Sequence, residues 1–370
     1  MKKMRKLFLP VAGAVFLAVL APGCGKQAPR QAESDDITCR LLTDASGIDD
    51  KSFNAAVWRG ILRFYGDTWD NPSKRGAAYD FISAPSQDMF LPMLQQATDD
   101  GYDLIISAGF TFDNATLTTA RKNPDQNYMI VDVDYVPNHN ILQAVFAEHE
   151  GSYLVGAAAA LKAVEDNIPN PRFGFIGGVV DPTITKFEIG YVQGILSILP
   201  GAEIVDYYVG SWDDPALAKS QAKNWYDSGV YIIYSAAGAS GGGTIAQAKE
   251  YRAQNKNVWA IGVDSDQFED GLYNDTDSAV YTSMIKRVES ATYYGLTSVK
   301  NGTFKGETIT LDLKADGVGY AETNPAMSAG IKAKINEAAQ RIKDGAIQVA
   351  ATHAAAKALP GFPQNLKAMD

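Results

Sequence analysis

Short, unbroken apolar runs alternate along this chain with longer segments whose apolar positions recur three and four residues apart. The runs at 37–43, 78–82, 104–108, 128–133 and 141–146, then at 173–176, 204–209, 230–234, 258–263 and 279–282, predict strands. The longer segments, for example 53–64, 89–98, 151–164, 186–199 and 290–299, predict helices. Strands that are apolar throughout must be covered on both faces. Their alternation with helices predicts an α/β chain built from parallel sheets. So many strands strain a single open sheet. The chain is therefore expected to form two doubly wound parallel-sheet lobes, 37–147 plus 279–301 and 148–278 plus 302–370. In that division the strand at 279–282 and the helix after it return to the first lobe, and the tail from Thr308 returns to the second. No long linker separates the halves, which predicts short crossings and a hinge.

The first residues break this rhythm. Lys2, Lys3, Arg5 and Lys6 precede an apolar stretch at 7–20, and small residues lead to Cys24. Residues 1–23 read as a secretory signal, because the apolar stretch is short for a membrane span. Cys24 stands where a bacterial lipoprotein is cleaved and acylated, although Ala21 and Pro22 depart from the usual residues there. It is expected to carry lipid, palmitate included, and to anchor an exported protein on the periplasmic side or the cell surface. Plain secretion is the alternative. Residues 24–36 supply a polar, aromatic-free tether.

Composition narrows the chemistry. At 46% apolar and 21% charged residues, the chain can build full cores. Removing residues 1–23 deletes four positive charges and no negative ones, which lowers the formal net charge from −10 by four, to −14. A body this acidic is a poor partner for nucleic acid or anionic membrane. Cys24 and Cys39 are the two cysteines, so neither a disulfide framework nor a cysteine-built metal site is expected. Cys39 lies in an apolar strand and should be buried and inert. His139, His149 and His353 show neither ligand nor triad spacing, and no Gly-x-Ser-x-Gly elbow occurs. The expectation is a protein without catalytic residues, cofactor or metal.

Candidate binding residues cluster where strands end. In LLTDASGIDDKSFNAAVW (41–58), Asp44 closes the first strand, in the place where open α/β sheets bind ligands. Asp49 or Asp50 suits the cap of the helix that opens at Phe53 and Asn54. Asp132 and Asp264 also end strands. The segment from Asp264 to Phe268 starts like a calcium loop and fails at its fifth position. Lys286 with an aspartate can hold two vicinal sugar hydroxyls, one donating and one accepting. The turn Gly238–Gly243 (GASGGG) lacks dinucleotide spacing and any basic neighbour. It reads as a tight turn that brings backbone amides to a small uncharged ligand. Phe53 and Tyr234 are the aromatic candidates for stacking on a planar base, and core packing is the alternative for both.

Four stretches, TDASGIDDKSFNAAVWRGI, VFAEHEGSYLVGAAAALKA, WAIGVDSDQFEDG and TSMIKR, together resemble the basic membrane protein family of solute-binding lipoproteins, in its purine nucleoside receptor A branch. The resemblance covers residues 37–346. It implies a type I periplasmic-binding-protein fold: two lobes, joined by a three-crossing hinge, close on a nucleoside and deliver it to the permease and ATPase of an ABC importer. It places Asp44 and Asn54 on the base, Phe53 on its face, and Asp264 with Lys286 on the ribose. Gly109, Asp132 and Gly238 match cleft positions, and Tyr234 falls where relatives carry Phe. No arginine enters the matched set, which suits nucleosides over nucleotides. A monomer is expected. The rival readings are a binding protein for a sugar or autoinducer on the same fold, a nucleoside hydrolase, which would need calcium, and a surface sensor or adhesin with no transporter partner.

Overall fold

The computed structural model describes residues 37–367. The expected signal segment, Cys24 and the tether lie outside the described residues. Among the described residues no helix is long and apolar enough to cross a membrane.

The first sheet holds β1 (Cys39–Thr43), β2 (Tyr79–Ser83), β3 (Leu104–Ser107), β4 (Asn127–Val131), β5 (Ile141–Phe146) and, much later in the chain, β11 (Thr308–Leu311). The second holds β6 (Arg172–Gly177), β7 (Glu203–Tyr208), β8 (Val230–Ala236), β9 (Trp259–Asp264), β10 (Val280–Lys286) and β12 (Val318–Tyr320). The strand orders are β11-β5-β4-β3-β1-β2 and β12-β10-β9-β8-β6-β7. Every neighbouring pair is parallel except β10 with β12. The helices are α1 (Phe53–Tyr65), α2 (Phe90–Asp99), α3 (Asp113–Lys122), α4 (Glu148–Glu165), α5 (Pro182–Ile198), α6 (Pro215–Asp227), α7 (Gly241–Ala253), α8 (Val288–Lys300), α9 (Ala329–Lys343) and α10 (His353–Lys357). The central strands are buried throughout, β3 and β8 at every position, as parallel strands between helical layers must be.

The chain passes between the sheets after β5, after β10 and after β11, which makes the three-crossing hinge of a type I periplasmic-binding-protein fold. Two expectations about these late passages need correction. The strand expected at 279–282 does not join the first sheet. It runs on to Lys286 and pairs with β9, Ile285 opposite Asp264. The segment from Thr308 does not go straight to the second sheet. It first forms β11 on β5, where the buried Gln143 amide donates to Thr308 Oγ1 at 2.9 Å. An apolar run declares a strand without naming its neighbour, and a parallel neighbour can be reached through a link such as 265–279, which holds one 3₁₀ turn, as well as through an α-helix. The helix after β10, α8, does return and packs on α1, with Gly60 against the Glu289 carbonyl.

Two local features position the cleft. The 3₁₀ turn Ile48–Asp50 precedes α1, and the buried Asp50 carboxylate accepts from the backbone N–H of Ser52 (3.0 Å), Asn54 (2.8 Å) and Ala55 (2.9 Å). Asp50 thus satisfies two orphan amides of α1, those of Asn54 and Ala55, and fixes its first turn. Behind the cleft, α4 and α5 cross almost backbone to backbone. A Cβ on Gly156 would lie 2.2 Å from the Tyr191 carbonyl oxygen, and one on Gly194 would lie 2.1 Å from that of Tyr153.

Gly156→Val is therefore expected to cost about 3 kcal/mol or more, because the obstruction is backbone and cannot turn aside; a urea midpoint equal to wild type would refute the close crossing. Asp50 yields a pH signature. Burial pushes its carboxyl from 3.8 up to about 7, against the three backbone hydrogen bonds and with the Asp264 charge adding to the rise. The folded state then holds this proton more tightly than the unfolded chain does. The resulting stability is complete below the unfolded value and is lost as pH rises through about 7. Compared with Asp50→Asn, wild type should lose about 1 kcal/mol per pH unit between pH 4 and 7 and then level off. A stability difference that stays constant over that range would contradict the assignment.

Candidate functional site

The carboxyl ends of both sheets open onto one cleft, of about 600 Å³ including its mouth. From the first lobe come Asp44 after β1, Asp50, Phe53 and Asn54 from the start of α1, Gly109 and Phe110 after β3, and Asp132 after β4. From the second come Phe187 on α5, Trp212 after β7, Gly238 after β8, Asp264 at the end of β9 and Lys286 at the end of β10. In each sheet the first strand has neighbours reached in opposite directions, β2 and β3 about β1, β7 and β8 about β6. Such switch points leave a crevice beyond the strand ends.

At the inner end of the cleft, the Lys286 ammonium is 1% exposed. Its Nζ lies 2.6 and 2.7 Å from the two oxygens of Asp132 and 3.0 Å from Glu148 Oε1. Glu148, equally buried, begins α4, and its other oxygen lies 3.4 Å from Lys186. The ammonium sits about 5 Å from the ring centroids of Phe53, Phe146 and Phe187. Burial alone would lower the lysine pKa, but the charges of Asp132, Glu148 and Asp264 outweigh it and hold the pKa above its ordinary value. Burial pushes Asp132 up to about 6 against the pull of Lys286. Burial also raises Asp264, against Lys286 and the hydroxyl of Ser52, which donates to Asp264 Oδ2 across the lobes.

Asp132 and Asp264 share a backbone peculiarity. Both have left-handed φ, 66° and 65°. Aspartate tolerates that region better than most residues, and the strain accompanies sites where a side chain must be aimed. At the outer end, Asp44 Oδ1 accepts from Asn54 Nδ2 (3.0 Å) and the Ser46 N–H (3.1 Å). Burial raises the Asp44 pKa, with those hydrogen bonds opposing. Gly109 has φ +100°, and a Cβ there would meet the Phe53 ring at 3.6 Å.

Of the residues singled out from sequence, Asp44, Phe53, Asn54, Gly109, Asp132, Gly238, Asp264 and Lys286 all line the cleft. Tyr234 does not. It is fully buried within the second lobe, packed on Phe175 and Tyr191, with its hydroxyl 3.3 Å from Ser152 Oγ. The reason is strand length: β8 continues to Ala236, so the strand tip is Ala236–Gly238 and Tyr234 is still inside the sheet. The second-lobe aromatics in the cleft are Phe187 and Trp212. Neither had a clear sequence signal. Phe187 sits on a helix face, and Trp212 lies in a loop whose position depends on the Gly238 turn. There the Ser240 N–H donates to the Trp212 carbonyl, and Ser240 Oγ donates to the Ser211 carbonyl, each at 2.9 Å. The GASGGG turn thus anchors an aromatic loop as well as lining the cleft. Glu148 was also missed, because it lies just before the segment read as helical. Cys39 is fully buried in β1, and burial pushes its thiol up to about 12.

The arrangement binds rather than reacts. It offers aromatic faces from both lobes, several carboxylate acceptors and one charged donor. Among the described residues no acidic, histidine or cysteine cluster could hold a metal ion.

Comparison with known proteins agrees. A family model described as ABC transporter substrate-binding protein PnrA-like matches residues 38–353. A CD4+ T-cell-stimulating antigen of Listeria monocytogenes is 32% identical over 94% of this chain and 99% of its own length. The ABC transporter nucleoside-binding protein BmpA of Lactococcus lactis is 35% identical over 85% of this chain and 89% of its own. A solved ABC transporter solute-binding protein from Aeropyrum pernix superposes with a TM-score of 0.75 at 25% identity, covering 87% of this chain and 95% of that one. The chain belongs to the PnrA-like family of ABC transporter substrate-binding proteins, which capture solutes rather than transform them.

Proposed function

We propose that this protein captures a nucleoside, preferentially a purine nucleoside, between its lobes and hands it to the permease and ATPase of an ABC importer. In this reading it is exported and held at a membrane by lipid on Cys24. The observation that carries the proposal is the pairing, in one cleft, of aromatic side chains from opposite lobes with a buried Asp132–Lys286–Asp264 set at one end. Phe53 and Trp212 supply faces for a planar base. Lys286 donates to, and Asp264 accepts from, the two ribose hydroxyls. Asp44 and Asn54 address the edge of the base. The cleft carries five aspartate or glutamate groups in or against it and a single buried lysine, an environment that repels phosphate.

A sugar could use the same carboxylate–lysine set, and the aromatic walls favour a base-bearing ligand. Calorimetric titration with inosine, adenosine, guanosine and ribose separates these readings. Heat from ribose alone would overturn the nucleoside assignment. Lys286→Ala should weaken ribonucleosides about 100-fold, as expected for loss of a charge-assisted hydrogen bond in a buried site, and free bases much less. Equal losses for both would remove the lysine from the ribose. Phe53→Ala and Trp212→Ala should each cost about 1–3 kcal/mol for any planar base. Tyr234→Phe, altered in the core, should leave affinity as it is; a large effect there would relocate the stacking wall.

A further inference from the structure

Beyond the cleft lies a second space of about 900 Å³, open to solvent on one side. Its walls are the loops after β1, β2 and β3 of the first lobe and after β6 and β7 of the second. Asp44, Ser46, Phe110, Thr111 and Trp212 face both this space and the cleft. Lys286, Asp132 and Asp264 face the cleft and not this outer space. The outer space therefore adjoins the Asp44 end, away from the buried lysine. Between the two stand Phe110 and Trp212, one from each lobe, edge to face at 6.0 Å between ring centroids. These two rings form the partition between the cleft and the outer space.

The chemistry of the outer walls is one-sided. Asp44 and Asp213 lie close enough for the charge of Asp213 to raise the Asp44 carboxyl. Asp44 Oδ1 accepts from the Asn54 side chain and the Ser46 N–H, which hold the carboxylate at the boundary of the two spaces. Ser86, Gln87 and Ser211 add neutral polar groups. Among the described residues no lysine or arginine lines the space. Nor is it shaped at random: Ser211 Oγ donates to Asp213 Oδ1 at 2.8 Å, and the Ser240 hydroxyl both accepts from the Asp214 N–H and donates to the Ser211 carbonyl, each at 2.9 Å. The acidic loop is held in place from behind.

We propose that this outer chamber is a second subsite, which receives a cationic or donor-rich substituent carried on the base edge of a nucleoside held in the cleft. The proposal rests on the nucleoside reading above. It widens the ligand class from simple nucleosides to base-modified ones, with amines preferred and carboxylates rejected.

The test uses the full chain and two parent nucleosides, adenosine and guanosine. Each carries on its exocyclic amine one of three tails of matched length: aminohexyl, hexyl or carboxypentyl. Binding of at least one parent establishes the nucleoside reading independently of the tails. The expected result is that the aminohexyl derivative of that parent binds at least as tightly as the hexyl one and about tenfold tighter than the carboxypentyl one. Asp213→Asn should shrink the amine-to-carboxylate ratio to about threefold or less. Loss of affinity by more than about 100-fold for all three tails would show that the chamber admits no substituent. Equal affinities for amine and carboxylate, or a ratio unchanged in Asp213→Asn, would show that its charge is not read. If neither parent binds, the nucleoside reading fails first and the subsite falls with it.

Discussion

A single buried ammonium ties the two lobes together. Lys286 ends a strand of the second sheet, yet it contacts both oxygens of Asp132, at the tip of a first-lobe strand, and Glu148, where the chain has just crossed between lobes. An ammonium removed from water is tolerable only when carboxylates replace its hydration. Here two do so directly and Asp264 adds a third nearby charge. The aromatic rings around it keep water out and so strengthen each of these interactions. The strand ends that form the cleft floor cannot shift independently without stranding a charge. The same carboxylates keep the lysine protonated.

The lobes mirror one another around this point. Their strand orders correspond position for position, and the corresponding strands β4 and β9 each deliver an aspartate in a left-handed backbone conformation. The two carboxylates therefore converge on the cleft from opposite sides by the same device. Asp132 is spent largely on Lys286, whereas Asp264 takes a hydroxyl from Ser52 in the other lobe. Lys51 with Asp270 (2.7 Å) and Phe110 with Trp212 are further contacts between the lobes. Closure is thus spread over several modest contacts around one strong ionic centre. That suits a protein which must grip and then release.

The cleft's polar ends were legible from the chain because polar residues at the tips of apolar strands are conspicuous. Asp44, Asp132 and Asp264 each stop an apolar run, and a parallel sheet bound by helices leaves the tips of its strands open to ligand. The aromatic walls were less legible. Tyr234 and Trp212 differ by nothing in composition that marks one as core and the other as cleft. Two more strand residues after Tyr234 moved it inside, while a loop clamped by Ser240 moved Trp212 out. Glu148 was hidden for a similar reason: a carboxylate at the first position of a helix resembles an ordinary solvated residue until a lysine far along the chain is folded against it.

The one-dimensional pattern was enough to establish α/β architecture, two parallel-sheet lobes and a set of strand-tip acids, because each depends on local periodicity or composition. Which sheet takes β10 and β11, which aromatic faces the cleft and which acids surround Lys286 were decided only in three dimensions. Strand pairing is blind to side chains at this resolution of reading: parallel edges of two similar sheets offer the same backbone hydrogen bonds. The choice between them is made by helix packing and by burying one charge among its opposites, both of which join residues more than a hundred positions apart.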